Sequence, residues 1–372
     1  MRAQLHKRLD VTPRQAFLIR LAGAFAAVLL TGVILLISGR NSFSLAGDAL
    51  SAVIPGKIGF EDTLLIATPI LMAAVAVAIG FRARVWNIGV AGQFLMGAWG
   101  ATAVGLYYDG PSIIVLPLMA IAAAICGGLW ALGPAWAKAR LDINEIVTTL
   151  LLNFVAVQWV IWWSTDMWLD RDLGVLAASR KISAEFPKVP GTIILNWGFA
   201  VPVVLAILFA YIFRKSIWGY EVDLTGGNRA AAEYAGIPVA NRIITVLVVS
   251  GAIAGLAGMI QLTGSFQRLI GTLENNYGVS GFIVAALAGT SFLAVLVVGG
   301  FVAFLLHSGI VLSTQQGGIT VNVVLAMYGF ILFSVGVAEV AARYRLVVRR
   351  GNGRRGPPSG AAKPQSLANG PS

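Results

Sequence analysis

Residues 61–100 read EDTLLIATPILMAAVAVAIGFRARVWNIGVAGQFLMGAWG: an apolar run, a short basic turn, and a second apolar run that contains amides and glycines. As a helix, the first run is about as long as the hydrocarbon core of a bilayer is thick. Similar runs recur along nearly the whole chain. We therefore predict an all-α polytopic membrane protein.

The composition supports a membrane protein. The 372-residue chain is 58% hydrophobic and only 12% charged, and its mean hydropathy is +0.82. A water-soluble globule could not bury that much apolar surface. Because the apolar runs leave no room for a large soluble domain, an ATPase or a soluble receptor would have to be another chain.

Counting the apolar runs predicts about ten transmembrane helices, some of them short or broken. The eighth is too short to cross a bilayer unaided. Residues 280–312 could therefore form two spans, one tilted span, or a span with a re-entrant piece. The ten runs are 16–38, 61–80, 88–107, 111–133, 144–163, 196–214, 242–262, 280–290, 292–312 and 320–341.

The distribution of basic residues predicts the orientation. With ten spans, both termini lie on one side, and a cytoplasmic placement puts 20 of the 27 Lys and Arg residues inside, as the positive-inside rule requires. The resulting organisation has five parts: a cytoplasmic N-terminal segment at 1–15, a transmembrane domain at 16–342, an external loop at about 165–195, a cytoplasmic segment at about 215–241, and a basic disordered cytoplasmic tail at 343–372.

Several kinds of chemistry are missing from the sequence. It has no GxxxxGK[ST] phosphate loop, and its two histidines, His6 and His307, are far apart and lie near no cysteine or carboxylate cluster that would bind a metal. An enzyme acting alone is therefore disfavoured, and we predict no catalytic and no metal-binding residues. The net charge of +11 reflects membrane topology and contact of the tail with anionic lipid, not nucleic-acid binding.

Four successive stretches resemble signatures of ATP-binding-cassette (ABC) importer permeases of the branched-chain amino acid and simple-sugar group. NIGVAGQFLMGA at 87–98 resembles NIGxEGQxxxGA, and INEIVTTLLLNFVA at 143–156 is similar to the NEVxxTxMLNxxA of the nucleoside and simple-sugar members. GYEVDLTGGNRAAAEYAGI at 219–237 resembles GxxxRAxGxNxxAAxxAGI, and NNYGVSGFIVAALAG at 275–289 resembles GYGFxGIxVAxLx. The resemblance runs from about 61 to 340 in the family's order.

The chain also departs from these patterns. Ala91 stands where the family usually has Glu, and Asp223 and Leu224 stand where it has Arg-Ala. An Asn-Pro pair that often follows the last stretch is missing near Ser291. These departures are compatible with a divergent half of a heterodimer.

The resemblance implies a permease subunit of an ATP-driven, binding-protein-dependent importer for nucleosides or simple sugars, in the bacterial cytoplasmic (inner) membrane. The implied partners are a second permease subunit (a paralogue, or a second copy in a homodimer), a cytoplasmic ATP-binding subunit that carries ATP and Mg, and an extracytoplasmic solute-binding protein. This chain itself would bind no cofactor. The alternatives are an importer of another small polar solute, an ATP-independent secondary carrier or channel, and a membrane scaffold.

Polar residues inside apolar runs are candidates for the solute pathway. In the fifth run, positions i, i+4 and i+8 are polar, so these residues share one helix face. The alternative for each candidate is contact between helices, and the glycines between 89 and 100 would then allow close helix approach. The predicted pathway residues are Asn87, Gln93, Glu145, Thr149, Asn153, Gln261 and Asn322.

The cytoplasmic segment contains a short alanine-rich helix, with Asn228 as its N-cap and with Gly236 and Pro238 at its end. The resemblance implies that this segment is a coupling helix that docks in a cleft of the ATPase, and the alternative is a solvated loop. The residues predicted to couple to the ATPase are Gly219, Tyr220, Asp223, Gly226, Gly227, Asn228, Ala231, Ala232, Tyr234 and Gly236.

Overall fold

The computed structural model describes residues 57–315 except for 175 and 176. Outside that range it describes two strands and scattered residues between 22 and 51 and between 329 and 337. Ten α-helices form the continuous part: α1 (Lys57–Arg82), α2 (Val90–Tyr107), α3 (Ser112–Leu141), α4 (Glu145–Trp162), α5 (Ala200–Lys215), α6 (Ile217–Gly227), α7 (Arg229–Tyr234), α8 (Val239–Gln261), α9 (Tyr277–Ala288) and α10 (Phe292–Gln315).

Short irregular helices extend this framework. A π-helical turn continues α4 at Trp163–Met167, and another continues α8 at Leu262–Phe266. Two 3-10 turns, Arg171–Leu173 and Trp197–Phe199, lie in the segment that joins α4 to α5.

Six helices in the described part of the chain are long and apolar enough to cross a membrane, and they confirm that the membrane region is helical. They are Ile58–Arg82, Ser112–Leu141, Glu145–Met167, Trp197–Lys215, Val239–Phe266 and Phe292–Val311. The first and tenth predicted runs, 16–38 and 320–341, lie largely outside the described residues. The count of about ten spans therefore stays a prediction.

The ambiguous stretch 280–312 contains two helices. The 12-residue α9 ends at Gly289, whose φ of 68° is accessible chiefly to glycine, and α10 begins three residues later. The alternative of one continuous tilted span is therefore wrong. Of these two helices, α10 is long enough to cross a bilayer and α9 is not.

Two short strands from the N-terminal and C-terminal parts of the chain pair with each other. Strand β1 (Arg2–Lys7) lies antiparallel to β2 (Tyr344–Arg349), with Arg2 opposite Arg349. β2 falls within the tail 343–372, which the sequence predicts to be disordered, and the rest of that tail lies outside the described residues. The pairing brings residues 2–7 and 344–349 together.

Glycines allow the central helices to pack backbone against backbone. α8 packs against α3, α2 and α1. A Cβ atom on Gly97 of α2 would collide with the backbone of Gly255 of α8, and one on Gly127 of α3 would lie 2.9 Å from the Gly255 Cα. Since lipid gives no hydrophobic drive for helix association, such close contact is a main source of stability here. These glycines therefore have a packing role.

The segment between α4 and α5 is fixed to the helix ends. Glu61 of α1 accepts hydrogen bonds from the backbone N–H groups of Ile193, Ile194 and Leu195, the shortest at 2.8 Å. The Arg268 guanidinium lies 2.6 Å from a carboxylate oxygen of Asp170 and holds the pKa of that carboxyl below its usual value. The described residues of the predicted external loop, about 165–195 without 175 and 176, therefore cover these helix ends, and we call them the cover segment.

Candidate functional site

The segment that joins α1 to α2 is organised by a buried amide pair. The Asn87 side chain has no exposed surface, and its Nδ2 donates to Gln93 Oε1 and to Ser250 Oγ, both at 2.8 Å. Its Oδ1 accepts from Gln93 Nε2 at 3.0 Å and from the Gly89 N–H at 3.1 Å. Ser250 Oγ in turn donates to the Ala76 carbonyl at 2.6 Å. This network ties α1, α2 and α8 together.

The network explains why amides stand where an apolar helix begins. A buried polar group costs free energy unless it is hydrogen-bonded, and the carboxamide of Asn87 makes four hydrogen bonds. Asn87 and Gln93 therefore connect helices in this structure. A contact of either residue with solute stays a prediction.

The polar stripe of α4 faces the same segment. Glu145 is buried and accepts a hydrogen bond from the Trp86 N–H at 3.2 Å. Thr149, one turn further along, donates to the Glu145 carbonyl at 2.6 Å, and a Cβ on Gly89 would lie 2.9 Å from its Cβ. The spacing i, i+4, i+8 thus aligns the stripe along residues 86–92.

Asn153 completes the contact between α4 and the start of α2. Its Nδ2 donates to the Ile88 carbonyl at 3.0 Å, and its Oδ1 accepts from the Gly92 N–H at 2.8 Å. A side chain on Gly92 would occupy this space, because a Cβ there would lie 2.8 Å from Asn153 Oδ1. Asn153 therefore supplies hydrogen bonds to backbone groups at the glycine-rich helix start.

The two remaining pathway candidates lie elsewhere. Gln261 is buried at the end of α8, donates from Nε2 to the Tyr277 hydroxyl at 3.3 Å, and lines an open cavity. Asn322 lies outside the described residues. The structure thus groups Asn87, Gln93 and the α4 stripe together and places Gln261 apart from them.

The predicted cytoplasmic segment forms two helices, and the sequence predicted the ends of the second. Asn228 Oδ1 accepts from the Ala231 N–H at 3.1 Å, so Asn228 is the N-cap of α7. Gly236 follows the helix with a φ of +79°, a conformation that favours glycine. At the start of α6, Ser216 Oγ accepts from the Gly219 N–H at 3.0 Å.

The predicted coupling residues divide into an inner and an outer set. Gly226 packs so closely on Arg82 that a Cβ there would collide with the Arg82 carbonyl. The inner residues, buried against the helices, are Gly219, Gly226 and Ala232, and the outer, exposed ones are Tyr220, Gly227, Asn228, Ala231, Tyr234 and Gly236. The Tyr234 side chain is 97% exposed. A large aromatic so exposed on a short helix is available to a partner.

Asp223, which departs from the family pattern, has a basic partner in its own chain. One of its carboxylate oxygens lies 2.5 Å from Arg82 Nη2. Burial raises the pKa of Asp223 above its usual value, and the Arg82 guanidinium opposes that rise. Arg82 also lies over the Phe213 ring, 4.8 Å from its centroid. Sequence reasoning left this partner unidentified, although Arg82 ends an apolar run on the same predicted side.

A path of ion pairs joins α7 to the α4 stripe. Arg229 of α7 lies 3.8 Å from Asp142, which follows α3 in the left-handed conformation. Lys138 lies 3.1 Å from Asp142 and 3.2 Å from Glu145, and it holds the pKa of Asp142 below its usual value. Glu145 then contacts the Trp86 N–H. Sequence analysis missed Lys138 and Asp142, although their i, i+4 spacing was a signal.

Six described helices that are long and apolar enough to cross a membrane define a polytopic membrane protein. Among the residues that the structure describes, no group of three or more His, Cys, Asp or Glu side chains could hold a metal ion.

Comparison with known proteins gives the family. The model of the branched-chain amino acid transport system / permease component family matches residues 59–336. The guanosine ABC transporter permease of Bacillus subtilis is 34% identical over 269 residues, which cover 71% of this chain and 77% of the relative. The glucose ABC transporter permease of Haloferax volcanii is 29% identical over 94% of this chain and 95% of its own. The nucleoside ABC transporter permease of Lactococcus lactis is 27% identical over 303 residues, which cover 78% of this chain and 81% of the relative.

The chain belongs to this permease family. It is a membrane permease subunit of an ABC transporter and not an enzyme, which confirms the family predicted from the four motifs.

Proposed function

We propose that this subunit forms the membrane pathway of an ATP-driven, binding-protein-dependent importer of nucleosides or simple sugars. The observation that carries the proposal is the exposed helix α7, which is joined through ion pairs to the polar face of α4 and the start of α2. The relatives that transport guanosine, nucleosides and glucose support the solute class.

The proposed coupling works through α6 and α7. An ATPase that docks on Tyr234 and Ala231 would push on a short helix whose inner residue Ala232 is only 1% exposed and packs against the membrane helices. Arg229 connects the same helix to Asp142 and onward to the helix ends. Movement of α7 would therefore displace α4 relative to α2, where the pathway candidates lie.

The proposal requires three partners. ATP and Mg bind to a separate cytoplasmic subunit, a solute-binding protein docks outside, and a second permease subunit, either a paralogue or a second copy, completes the pathway. The low burial of α4 supports a missing neighbour, because only 17% of its membrane window is buried within this chain. Lipid covers what the second subunit does not.

The proposed topology has about ten spans, with both termini in the cytoplasm of a bacterial inner membrane. The pairing of β1 with β2 supports an even number of spans, since backbone hydrogen bonds cannot form across a bilayer. The concentration of Lys and Arg in the predicted inner segments supports the cytoplasmic side.

The decisive experiment is to purify the chain with its partners, reconstitute the complex and measure ATP hydrolysis and uptake against a panel of nucleosides and sugars. We expect loaded binding protein to stimulate hydrolysis and uptake to stop without ATP. Uptake that persists on an ion gradient alone would show a secondary carrier, and an absence of any uptake would show a scaffold.

A further inference from the structure

A cavity of about 440 Å³ opens between α1, the cover segment before α5, and the junction of α8 with α9. Its size falls within the range of roughly 300–1,000 Å³ that small-molecule sites occupy. By the proposed topology it lies at the external ends of the helices. It is lined by Asp62, Leu65, Ile66, Lys188, Ile194, Gln261, Gly264, Ser265, Phe266 and Tyr277.

The two charged residues of the cavity are not paired with each other. No ion pair joins Asp62 to Lys188, and among the described residues the Asp62 carboxylate makes neither an ion pair nor a hydrogen bond, although its charge interacts with the His307 imidazole. The Lys188 ammonium makes only a long hydrogen bond of 3.5 Å to the Ile193 carbonyl. A half-buried carboxylate in such surroundings is stabilised by a ligand that donates hydrogen bonds to it.

Two buried polar side chains add to this wall. Gln261 and Tyr277 are both less than one tenth exposed, and the Gln261 amide nitrogen donates to the Tyr277 hydroxyl. Within the described part of the chain, Gln261 Oε1 accepts no hydrogen bond, so it is free to accept one from a bound molecule.

The π-helical turn Leu262–Phe266 contributes to an apolar side of the cavity, opposite in character to the polar residues above. It ends α8 and exposes Ser265 and the Phe266 ring at the cavity. Turns of this kind frequently mark functional sites, because the extra residue redirects side chains out of the helical pattern. Together with Leu65 and Ile194, Phe266 gives the cavity an apolar wall.

We propose that this cavity binds a nucleoside on its way through the permease, an inference that rests on the proposed import function and narrows its solute class. The lining carries one negative and one positive residue, so its formal charge suits a neutral solute. Asp62 and Gln261 accept hydrogen bonds from ribose hydroxyls, and the apolar wall stacks against the base. A hexose offers only the small C–H face of its ring to that wall, whereas a nucleoside offers the whole plane of its base.

The test measures ATP-dependent uptake of radiolabelled guanosine and glucose by vesicles containing the assembled transporter and its binding protein. Three variants alter the cavity: Asp62→Asn, Lys188→Gln and Phe266→Leu. Two matched controls, Asp166→Asn and Lys181→Gln, change exposed charges on the cover segment that do not line the cavity. Hydrolysis stimulated by the loaded binding protein is measured in parallel, because it reports docking and assembly.

We expect wild type to take up guanosine and the three cavity variants to do so about tenfold more slowly, as the loss of one charge-assisted hydrogen bond or one stacking contact predicts. Stimulated hydrolysis and the two control variants should be unchanged.

Cavity variants that take up guanosine like the controls would overturn the site, and so would a parallel loss of hydrolysis, which would indicate a docking role. A wild type that imports glucose but not guanosine would overturn the nucleoside while leaving the import function intact. A wild type that imports neither would remove the proposed function and this inference with it.

Discussion

Asn153 joins α4 to the start of α2 through two hydrogen bonds. From its position in the fifth apolar run, Asn153 was predicted to line the pathway, with contact between helices as the alternative. The structure shows the contact: its amide bonds the Ile88 carbonyl and the Gly92 N–H. Because nearby lipid offers these backbone groups no replacement partner, the loss of the amide should affect stability first.

We therefore expect Asn153→Leu to lower the stability of the purified subunit by about 1–3 kcal/mol through two unpaired backbone groups. The measurement is the midpoint of thermal or detergent-induced unfolding. Gln158→Leu, an exposed change on the same helix, is the control. If Asn153→Leu unfolds like this control and only transport falls, Asn153 acts on solute instead.

Asp223 illustrates a residue whose role depends on a distant partner. Its ion pair with Arg82 joins positions 141 residues apart. A charge reversal at either residue leaves two like charges in contact. Because both side chains are partly buried, water screens their repulsion only in part.

We expect Asp223→Arg to destabilise the contact between α6 and α1 by on the order of 1–2 kcal/mol and to reduce association with the ATPase. The exchanged double variant Arg82→Asp/Asp223→Arg should recover most of the loss, as a double-mutant cycle on unfolding and complex yield would measure. Failure of the exchange to recover anything would mean that the position acts through the ATPase and not through Arg82.

At the level of elements, α7 separates a buried side from an exposed one within six residues. Ala232 is almost completely buried, whereas its neighbour Ala231 is exposed. A large side chain at position 232 should therefore disrupt packing within the subunit, whereas one at position 231 should leave that packing intact.

Ala231→Trp and Tyr234→Ala should leave the subunit folded and weaken ATPase association, by roughly 2 kcal/mol or more if the docked side is a binding hot spot. Complex yield and stimulated ATP hydrolysis are the measurements. Ala232→Trp is the contrasting variant and should reduce the stability of the isolated subunit itself. Normal association of both outer variants would show that α7 is a solvated loop helix.

Local sequence signals predicted where helices begin and end better than they predicted which side chains contact each other. The cap at Asn228 depends on neighbouring residues and could be predicted, whereas the sequence left open whether 280–312 breaks into two helices at Gly289. The partners of Asn87 could not: Ser250 is 163 positions away, and many polar residues would have fitted as well. For the same reason, the position of Asp62 at the cavity could not be predicted, because in the sequence this residue only stands near the start of an apolar run.

At the scale of the whole molecule, the proposed topology makes α7 cytoplasmic and the cover segment external. The single cysteine, Cys126, can be removed by Cys126→Ser, which allows labelling at chosen sites.

In that background, a cysteine at exposed Arg229 should react only with reagents that reach the cytoplasm, and one at exposed Asp172 should react from outside. Labelling of intact cells with a membrane-impermeant maleimide, compared with labelling of inverted vesicles, measures this. The reverse pattern would overturn the orientation and with it the docking side of α7.

The glycine contacts among α2, α3 and α8 also set how the subunit can move. Where backbones touch, as at Gly97, Gly127 and Gly255, there is no layer of side chains that could change rotamers and let one helix slide along another. These three helices therefore turn as one rigid body. Whatever opens the pathway to one side and then the other must therefore move the helices outside this block, such as α4, relative to it.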